Sequence, residues 1–316
     1  MSARLEDIRR EAHVSLERSL YGGVREPDDY SRPLGDAGLF GPDSVTWQVH
    51  SDLPSMLIGG VGALLIQTLH PLAMAGVTDH SNFREDPKHR LAMTARFIAV
   101  TTYGGTPLAE RAIRGVRKVH ERVVGTAPDG RPYSANDPKL LTWVHTAEAA
   151  SFLRGYQRYS GAPLSDRDCD RYLAEMSVIA ARLGAADVPQ SVAEVRAYYR
   201  AMQPELDAGQ QARETVEFLM HDPSAEPADQ VARSVLIRAS IGILPGWAKR
   251  KLGLAGSTLA HRAVVTPAAK LIASLIRWIE GPSPLRRQAL ARSSGGASHV
   301  SEPSGVPDVA PDVSPR

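Results

Sequence analysis

The sequence has only one cysteine, Cys169, among its 316 residues. An intramolecular disulfide and a cluster of thiolate metal ligands are therefore excluded. A strong charge of one sign is also missing, because 37 basic and 35 acidic residues leave a formal net charge of +2. This balance gives no reason to expect a nucleic acid partner. The start of the chain, "MSARLEDIRREAHVSLERSL", has charges throughout and lacks the apolar core of a signal peptide. We therefore expect a cytoplasmic protein.

Several common enzyme motifs are absent as well. The stretch "GGVGALL" lacks the lysine of a phosphate-binding loop and follows no strand pattern. The sequence has no G-x-S-x-G nucleophile elbow, no dinucleotide-binding glycine pattern and no H-x-x-x-H zinc helix. Alternating strand patterns are almost absent, whereas helix start signals recur at Asp86, Asp137, Ser165 and Ser191. The sequence predicts an all-α fold, a single large domain of about eight to ten helices.

Composition divides the chain into four expected segments. They are an N-terminal helical arm at 1–34, a helical domain at 35–255, a C-terminal amphipathic helix at 256–280 and a tail at 281–316. The tail is rich in proline, serine and glycine and has no aromatic residue, which predicts disorder. The basic stretch "AHRAVVTPAAKLIASLIRWIEG" predicts a helix that docks on the core, with contact to a membrane surface as the alternative.

Residues 53–77 form the one long segment without charge. Its length reaches the threshold for a membrane-spanning helix. Gln67 and His70 lie inside it, Pro71 would interrupt it, and its glycines favour close packing between helices. We therefore expect a buried central helix here, with membrane contact as the alternative.

Histidines on the inner helices are the main candidates for chemistry: His70, His80, His120 and His145. His120 lies at the edge of an apolar stripe formed by Ile113, Val116, Val119 and Val123. This position suits either a hydrogen-bonded core histidine or a ligand to iron or zinc.

His145 and Glu148 are three residues apart and share one helix face. Such pairs build carboxylate-bridged metal sites when two facing helices each contribute one. Since no second Glu-x-x-His occurs on an inner helix, a structural role for His145 is favoured, and a non-haem metal protein remains an alternative.

Arg90 and Thr94 lie four residues apart on a helix that begins after Asp86. Most positions on that stripe are apolar, so we expect it to face inward. A buried cation requires an anionic partner. The partner is either a carboxylate (Asp79, Glu85 or Asp86) or a bound anion.

Several segments in order resemble the MpaB and rubber-oxygenase (latex-clearing-protein-like) family of all-helical haem proteins, over roughly residues 35 to 255. They are "QTLHPLAMAGVTDHSNF", "HRLAMTARFIAVTTYGG", "VRKVHERVVGTAPDGRPYSANDPKLLTWVHTAEAASFLRGYQRY" and "YLAEMSVIAARLGAADVPQSVAEVRAYYRAMQPEL". The resemblance implies a non-covalently bound haem b and an oxygenase that acts on hydrophobic, often isoprenoid, substrates with molecular oxygen.

Residue by residue, the resemblance gives three positions a role. His120 matches the axial iron ligand, and Arg90 and Thr94 match an arginine and a threonine on the oxygen side of the haem, where they would act in catalysis. His70, His80 and His145 also match family-typical positions, without an assigned role.

The sequence departs from the rubber-cleaving members at two positions. Met93 replaces a lysine directly before the threonine, and Met74 stands at the spacing of a glutamate base. The resemblance therefore implies a haem b oxygenase for a small hydrophobic, isoprenoid or unsaturated lipid substrate rather than for rubber. A non-catalytic haem- or lipid-binding module and peripheral membrane contact are the alternatives.

Overall fold

The computed structural model describes residues 6–7, 9–14, 28–81, 86–221, 227–254, 256 and 261–295. Helices dominate these ranges. They are α1 (Val45–His50), α2 (Leu53–Gln67), α3 (Pro71–His80), α4 (Pro87–Tyr103), α5 (Thr106–His120), α6 (Pro138–Tyr159), α7 (Asp166–Leu183), α8 (Val192–Ala201), α9 (Gln210–His221), α10 (Pro227–Ile243), α11 (Gly246–Lys251), α12 (Thr266–Glu280) and α13 (Pro284–Ser294). The structure also has a 3-10 turn (Gln203–Glu205), a π-helical turn (His261–Val265) and a hairpin of β1 (Val124–Thr126) and β2 (Pro132–Ser134). Residues 6–7 and 9–14 are helical as well. The all-α prediction is confirmed, and several short helices bring the number above the eight to ten expected.

The centre of the fold is the pair of helices α2 and α6, which make the most extensive helix contact in the described chain. A Cβ atom at Gly59 would lie 2.8 Å from Cα of Phe152, and one at Gly155 would lie 2.6 Å from the carbonyl oxygen of Ser55. Only glycine permits this approach of the two backbones. The expected buried central helix is therefore present as α2, with α10 and α12 packed on its other sides.

The uncharged segment does not form one straight helix. α2 ends at Gln67, α3 begins at Pro71, and the two are bent by 107°. Within the described residues, no single helix has the length and apolar character needed to cross a membrane, although this bent pair together meets that criterion. The proline that interrupts the segment accounts for the break.

Local helix start signals are confirmed where the sequence predicted them. The side chains of Asp86, Asp137, Ser165 and Ser191 each accept a hydrogen bond from a backbone N–H in the first turn of the helix that follows. These caps fix the start of α4 and α6, which hold the candidate site residues.

The end of α5 differs from the expectation. The predicted apolar stripe extends along the helix to Val123, but α5 ends at His120 and Val124 pairs with Ser134 in the hairpin. His120 is therefore the last helical residue. Of the predicted apolar stripe only Ile113 is fully buried, and Val119 is 62% exposed.

The predicted disordered tail is corrected for its first part. Residues 284–294 form α13, where Arg292 is fully buried and donates hydrogen bonds of 2.7 Å to the carbonyl oxygens of Asp36, Tyr30 and Tyr103. These long-range bonds hold α13 against the end of α4. Residues 296–316 lie outside the described residues.

The expected N-terminal arm is helical at residues 6–7 and 9–14, whereas residues 28–34 form turns and irregular backbone. The remaining residues of the expected arm lie outside the described ranges. The predicted C-terminal amphipathic helix is observed as α12, which docks on the core as expected through its buried residues Ala269 and Ala273.

Candidate functional site

Arg90 and Thr94 lie in the first two turns of α4, and both are exposed. This corrects the expectation of an inward-facing stripe. The second half of α4 packs on the core through Val100 and Tyr103, whereas in the first half the buried side chain is Ala92 and Arg90 and Thr94 lie on the exposed side. The hydroxyl of Thr94 donates to the carbonyl oxygen of Arg90 at 3.1 Å.

The anionic partner expected for Arg90 is not one of the described carboxylates. Asp79 accepts a 2.6 Å hydrogen bond from the hydroxyl of Tyr133, and Asp86 caps α4. Arg90 instead donates from Nη1 to the hydroxyl of Ser81 at 2.8 Å. Glu85, the third candidate, lies outside the described residues. The guanidinium is still partly desolvated, and this desolvation lowers the pKa of Arg90.

His120 is half-buried at the end of α5, and its Nδ1 atom is buried without a hydrogen-bond partner among the described residues. One expectation for His120 was a hydrogen-bonded core histidine, and its Nδ1 atom does not have that hydrogen bond. Desolvation, and after it the charge of Arg90, lowers the pKa of His120. The lowered pKa favours the neutral imidazole, whose lone pair can bind a metal ion.

α4 and α5 are joined at Gly104 and Gly105 and pack against each other. The start of α4, with Arg90, and the end of α5, with His120, lie at the same end of this helix pair, where the charge of Arg90 acts on His120. We call Arg90, Thr94 and His120 the Arg90–His120 site.

Apolar side chains around this site are exposed rather than packed. Leu91 and Met93 are exposed on α4, and Val119 on α5 directly precedes His120. An open cavity of about 310 Å³ adjoins the end of α5 and is lined by His80, Gly115, Lys118, Val119, Arg122 and Val123. The site thus combines a neutral imidazole, a cation and uncovered apolar surface, an arrangement suited to an apolar ligand with a polar or anionic group.

His80 and His70 lie at the two ends of α3. His80 is exposed, its Nε2 atom is 3.2 Å from the carbonyl oxygen of Val124, and its ring contacts Tyr133 edge-on. It lines the cavity beside α5. His70 is buried against Trp143, with Nδ1 lacking a partner within the described chain, and burial followed by the charge of Arg131 lowers its pKa.

His145 is buried in the core on α6, and Glu148, three residues later, is half-buried. Burial lowers the pKa of His145 to about 4 and raises the pKa of Glu148 to about 7. Among the described residues, no group of three or more histidine, cysteine, aspartate or glutamate side chains is placed to hold a metal ion. The structure therefore does not favour a carboxylate-bridged metal site around this pair.

A buried polar chain in the core was missed by the sequence reasoning. His50 pairs through Nδ1 with the hydroxyl of Thr102 at 2.7 Å and through Nε2 with the hydroxyl of Tyr172 at 3.1 Å. Burial lowers the pKa of His50 to about 3, so the ring stays neutral. His50 follows Trp47 by three residues, a spacing that places both on one helix face and could have indicated a buried histidine. α1 is too short, however, to show a clear periodic pattern in the sequence.

The sequence matches one family model, described as ER-bound oxygenase MpaB/B′/rubber oxygenase, catalytic domain, over residues 47–278. The matched range includes Arg90, Thr94 and His120 and covers most of the chain. Searches among curated proteins and among solved structures gave no match.

Proposed function

We propose that this chain, which belongs to the MpaB and rubber oxygenase catalytic-domain family, is a haem b-dependent oxygenase acting on a small hydrophobic substrate. The family is one of oxygenases, and the match supports that reaction class for the chain. The proposal adds the cofactor and its residues. His120 would hold the haem iron, and Arg90 and Thr94 would lie on the side where oxygen binds.

The observation that carries the proposal is the unpartnered Nδ1 atom of His120 beside Arg90. A buried polar atom without a partner costs about 1–3 kcal/mol, and such an atom calls for a ligand from outside the chain. A neutral imidazole is a standard axial ligand of haem iron. The donor chemistry of the Arg90–His120 site therefore fits this cofactor.

Bound haem would supply the binding and activation of molecular oxygen. Arg90 would donate hydrogen bonds toward negative charge that develops near its guanidinium. Thr94 would orient a second polar group, since its hydroxyl oxygen can accept a hydrogen bond while it donates to the carbonyl of Arg90.

A hydrophobic substrate suits the surface around the site. Leu91, Met93 and Val119 are exposed, and a flat apolar ligand or substrate would cover them. Met74 stands at a spacing before Arg90 comparable to that of the glutamate base in the rubber-cleaving members, and it is buried with its sulfur 3.9 Å from the hydroxyl of Thr215. A methionine cannot accept a proton there, so we propose a small substrate and do not extend rubber cleavage to this chain.

The test is a titration of the purified protein with hemin, followed by its Soret absorption. His120→Ala should weaken binding by more than about tenfold, because loss of even an outer-shell partner weakens metal binding about 10–100-fold. His80→Ala is the matched control, since this histidine is exposed beside the same cavity. A wild-type spectrum in His120→Ala, or loss of binding only in His80→Ala, would contradict the axial assignment.

The buried Met74 also favours a second candidate, a haem- or lipid-binding module without turnover. Oxygen uptake by the hemin-loaded protein separates the two. Uptake that depends on an unsaturated lipid or terpenoid and is lost in Arg90→Ala supports the oxygenase. Stable haem binding without uptake across the same panel supports the module.

A further inference from the structure

A second exposed apolar surface lies far along the chain from the Arg90–His120 site, on α12 and the π-helical turn before it. Leu271 is 73% exposed, and Val264, Leu275 and Trp278 are also exposed. Leu271, Leu275 and Trp278 follow the i, i+4, i+7 spacing of one helix face, and Val264 precedes Leu271 by two turns. We call these four residues the outer stripe. Over its length of about 20 Å it presents large apolar side chains to solvent.

The outer stripe is not the face by which α12 joins the core. That task belongs to the buried alanines Ala269 and Ala273 on the opposite side. Arg277 further fixes the helix, since it donates at 2.6 and 3.0 Å to the carboxylate of Asp52 and also to the carbonyl oxygen of Tyr159. α12 is therefore held in place with its outer stripe directed away from the protein.

Exposed cations lie close to the outer stripe along the chain. Lys270 is exposed beside Leu271, and Arg286 and Arg287 are exposed in the first turn of α13, shortly after Trp278. Among the described acids, Asp52 is paired with Arg277, and burial raises the pKa of Glu280 to about 7. Glu6, Asp7 and Glu11 are exposed on the N-terminal helical segment, which reaches the end of α12 where Arg9 donates to the carbonyl oxygen of Ile279, and Asp7 is paired with Arg10. The outer stripe is thus apolar, with exposed cations next to it along the chain.

We propose that the outer stripe docks the protein on the surface of an anionic phospholipid bilayer, with α12 lying in the plane of the interface. The apolar side chains would enter the boundary between headgroups and acyl chains, as in other interfacial helices. Trp278 suits this depth because its ring is apolar and its indole N–H is polar. Lys270, Arg286 and Arg287 would contact the lipid phosphates.

Charge distinguishes the bilayer from a second copy of the chain as the occupant. A two-fold contact of the outer stripe with itself would bring the nearby cations of one copy toward the same cations of the other. An anionic lipid surface complements them instead. This inference goes beyond the proposed oxygenase function and does not depend on it.

The test is cosedimentation of the full chain, without hemin, with vesicles of equal parts phosphatidylcholine and phosphatidylserine. The protein should bind these vesicles. Its affinity should be at least about tenfold lower for pure phosphatidylcholine vesicles, and also for the mixed vesicles at high salt, because each surface cation contributes to attraction by anionic lipid. The Leu271→Ser/Leu275→Ser variant should lose at least about tenfold in vesicle affinity. Val231→Ser is the matched control, because Val231 is an equally exposed valine on α10, outside the outer stripe.

Circular dichroism and the thermal midpoint should show that the double serine variant and the Val231→Ser control remain folded, which is expected for substitutions at exposed positions. Brominated lipid provides a second readout of orientation. It should quench the fluorescence of the bound wild type, and Trp278→Phe should remove most of the quenching while cosedimentation persists. Of the other three tryptophans, Trp47 and Trp143 are buried, and the half-buried Trp247 packs against Tyr199. Absence of wild-type binding, equal binding by the double variant, or a concentration-dependent dimer that the double variant abolishes would each overturn the proposal.

Discussion

Glu148 gives the sharpest prediction, because its burial can be converted into a pH-dependent stability. Burial raises the pKa of this carboxyl from its usual 4.5 to about 7. The folded state therefore holds a proton that the unfolded state releases between these two values, and stability falls as pH rises through that window. A tenfold change in proton affinity corresponds to about 1.4 kcal/mol, so the full cost above the folded pKa is about 3 kcal/mol.

Glu148→Gln should remove this cost, because glutamine resembles the protonated acid and does not ionise. We expect the variant to be more stable than the wild type by up to about 3 kcal/mol near pH 8 and by only about 0.8 kcal/mol near pH 5. Urea unfolding, followed by tryptophan fluorescence at the two pH values, measures both differences. The buried His50 and His145 titrate in both proteins, so their contributions cancel in the comparison.

Glu175→Gln provides the control for this prediction. Glu175 accepts hydrogen bonds of 2.8 Å from the backbone N–H and the hydroxyl of Thr46 and pairs with Arg171 at 2.9 Å. The same substitution there should destabilise the protein near pH 8. If Glu148→Gln changed stability equally at both pH values, or lowered it near pH 8, Glu148 would be ionised in the folded state. That result would restore the carboxylate-ligand hypothesis for α6.

Three further substitutions test the packing that holds the site. Arg292→Ala should cost about 3 kcal/mol of unfolding free energy in urea, because three carbonyl oxygens lose a buried donor, whereas exposed Arg287→Ala should change it by less than about 0.5 kcal/mol. Gly59→Ala should lower the thermal midpoint through a clash worth at least about 1–3 kcal/mol, whereas Gly115→Ala, with open space around its Cβ, should raise stability by about 0.5–1 kcal/mol. Tyr172→Phe should cost about 1–2 kcal/mol, measured by urea unfolding, since its buried histidine partner loses a hydrogen bond. A neutral Arg292→Ala, a stabilising Gly59→Ala or a neutral Tyr172→Phe would contradict the corresponding contact.

The features that the sequence predicted well depend on nearby residues. Asp86, Asp137 and Ser191 cap helices because a cap needs only the backbone N–H groups of the next turn. The glycines of α2 likewise predicted close packing between helices, although the sequence did not indicate that Phe152 and Gly155 on α6 are the neighbours.

The errors arise where distant residues decide the structure. The valine spacing continued the helical pattern past His120, but the backbone after it pairs with Pro132–Ser134 in a hairpin. Composition predicted disorder from residue 281, yet Arg292 binds three carbonyl groups that are 189 or more residues away in sequence. Composition carries no information on such partners.

The amphipathic helices α4 and α12 also show that a sequence pattern does not identify distant partners, and in these helices the partner matters for function. Periodicity predicts that each has an apolar face, but it does not say what covers that face. In the structure, Met93 on α4 and Leu271 on α12 are both exposed. The partner of each apolar face therefore has to be inferred from the polar and charged groups next to it. The face on α4 adjoins a neutral imidazole with an unpartnered nitrogen, which suits a discrete ligand. The face on α12 has exposed cations next to it along the chain, which suits an extended anionic surface. One protein can therefore use two uncovered helix faces for different partners, and hemin should leave vesicle binding by the outer stripe unchanged.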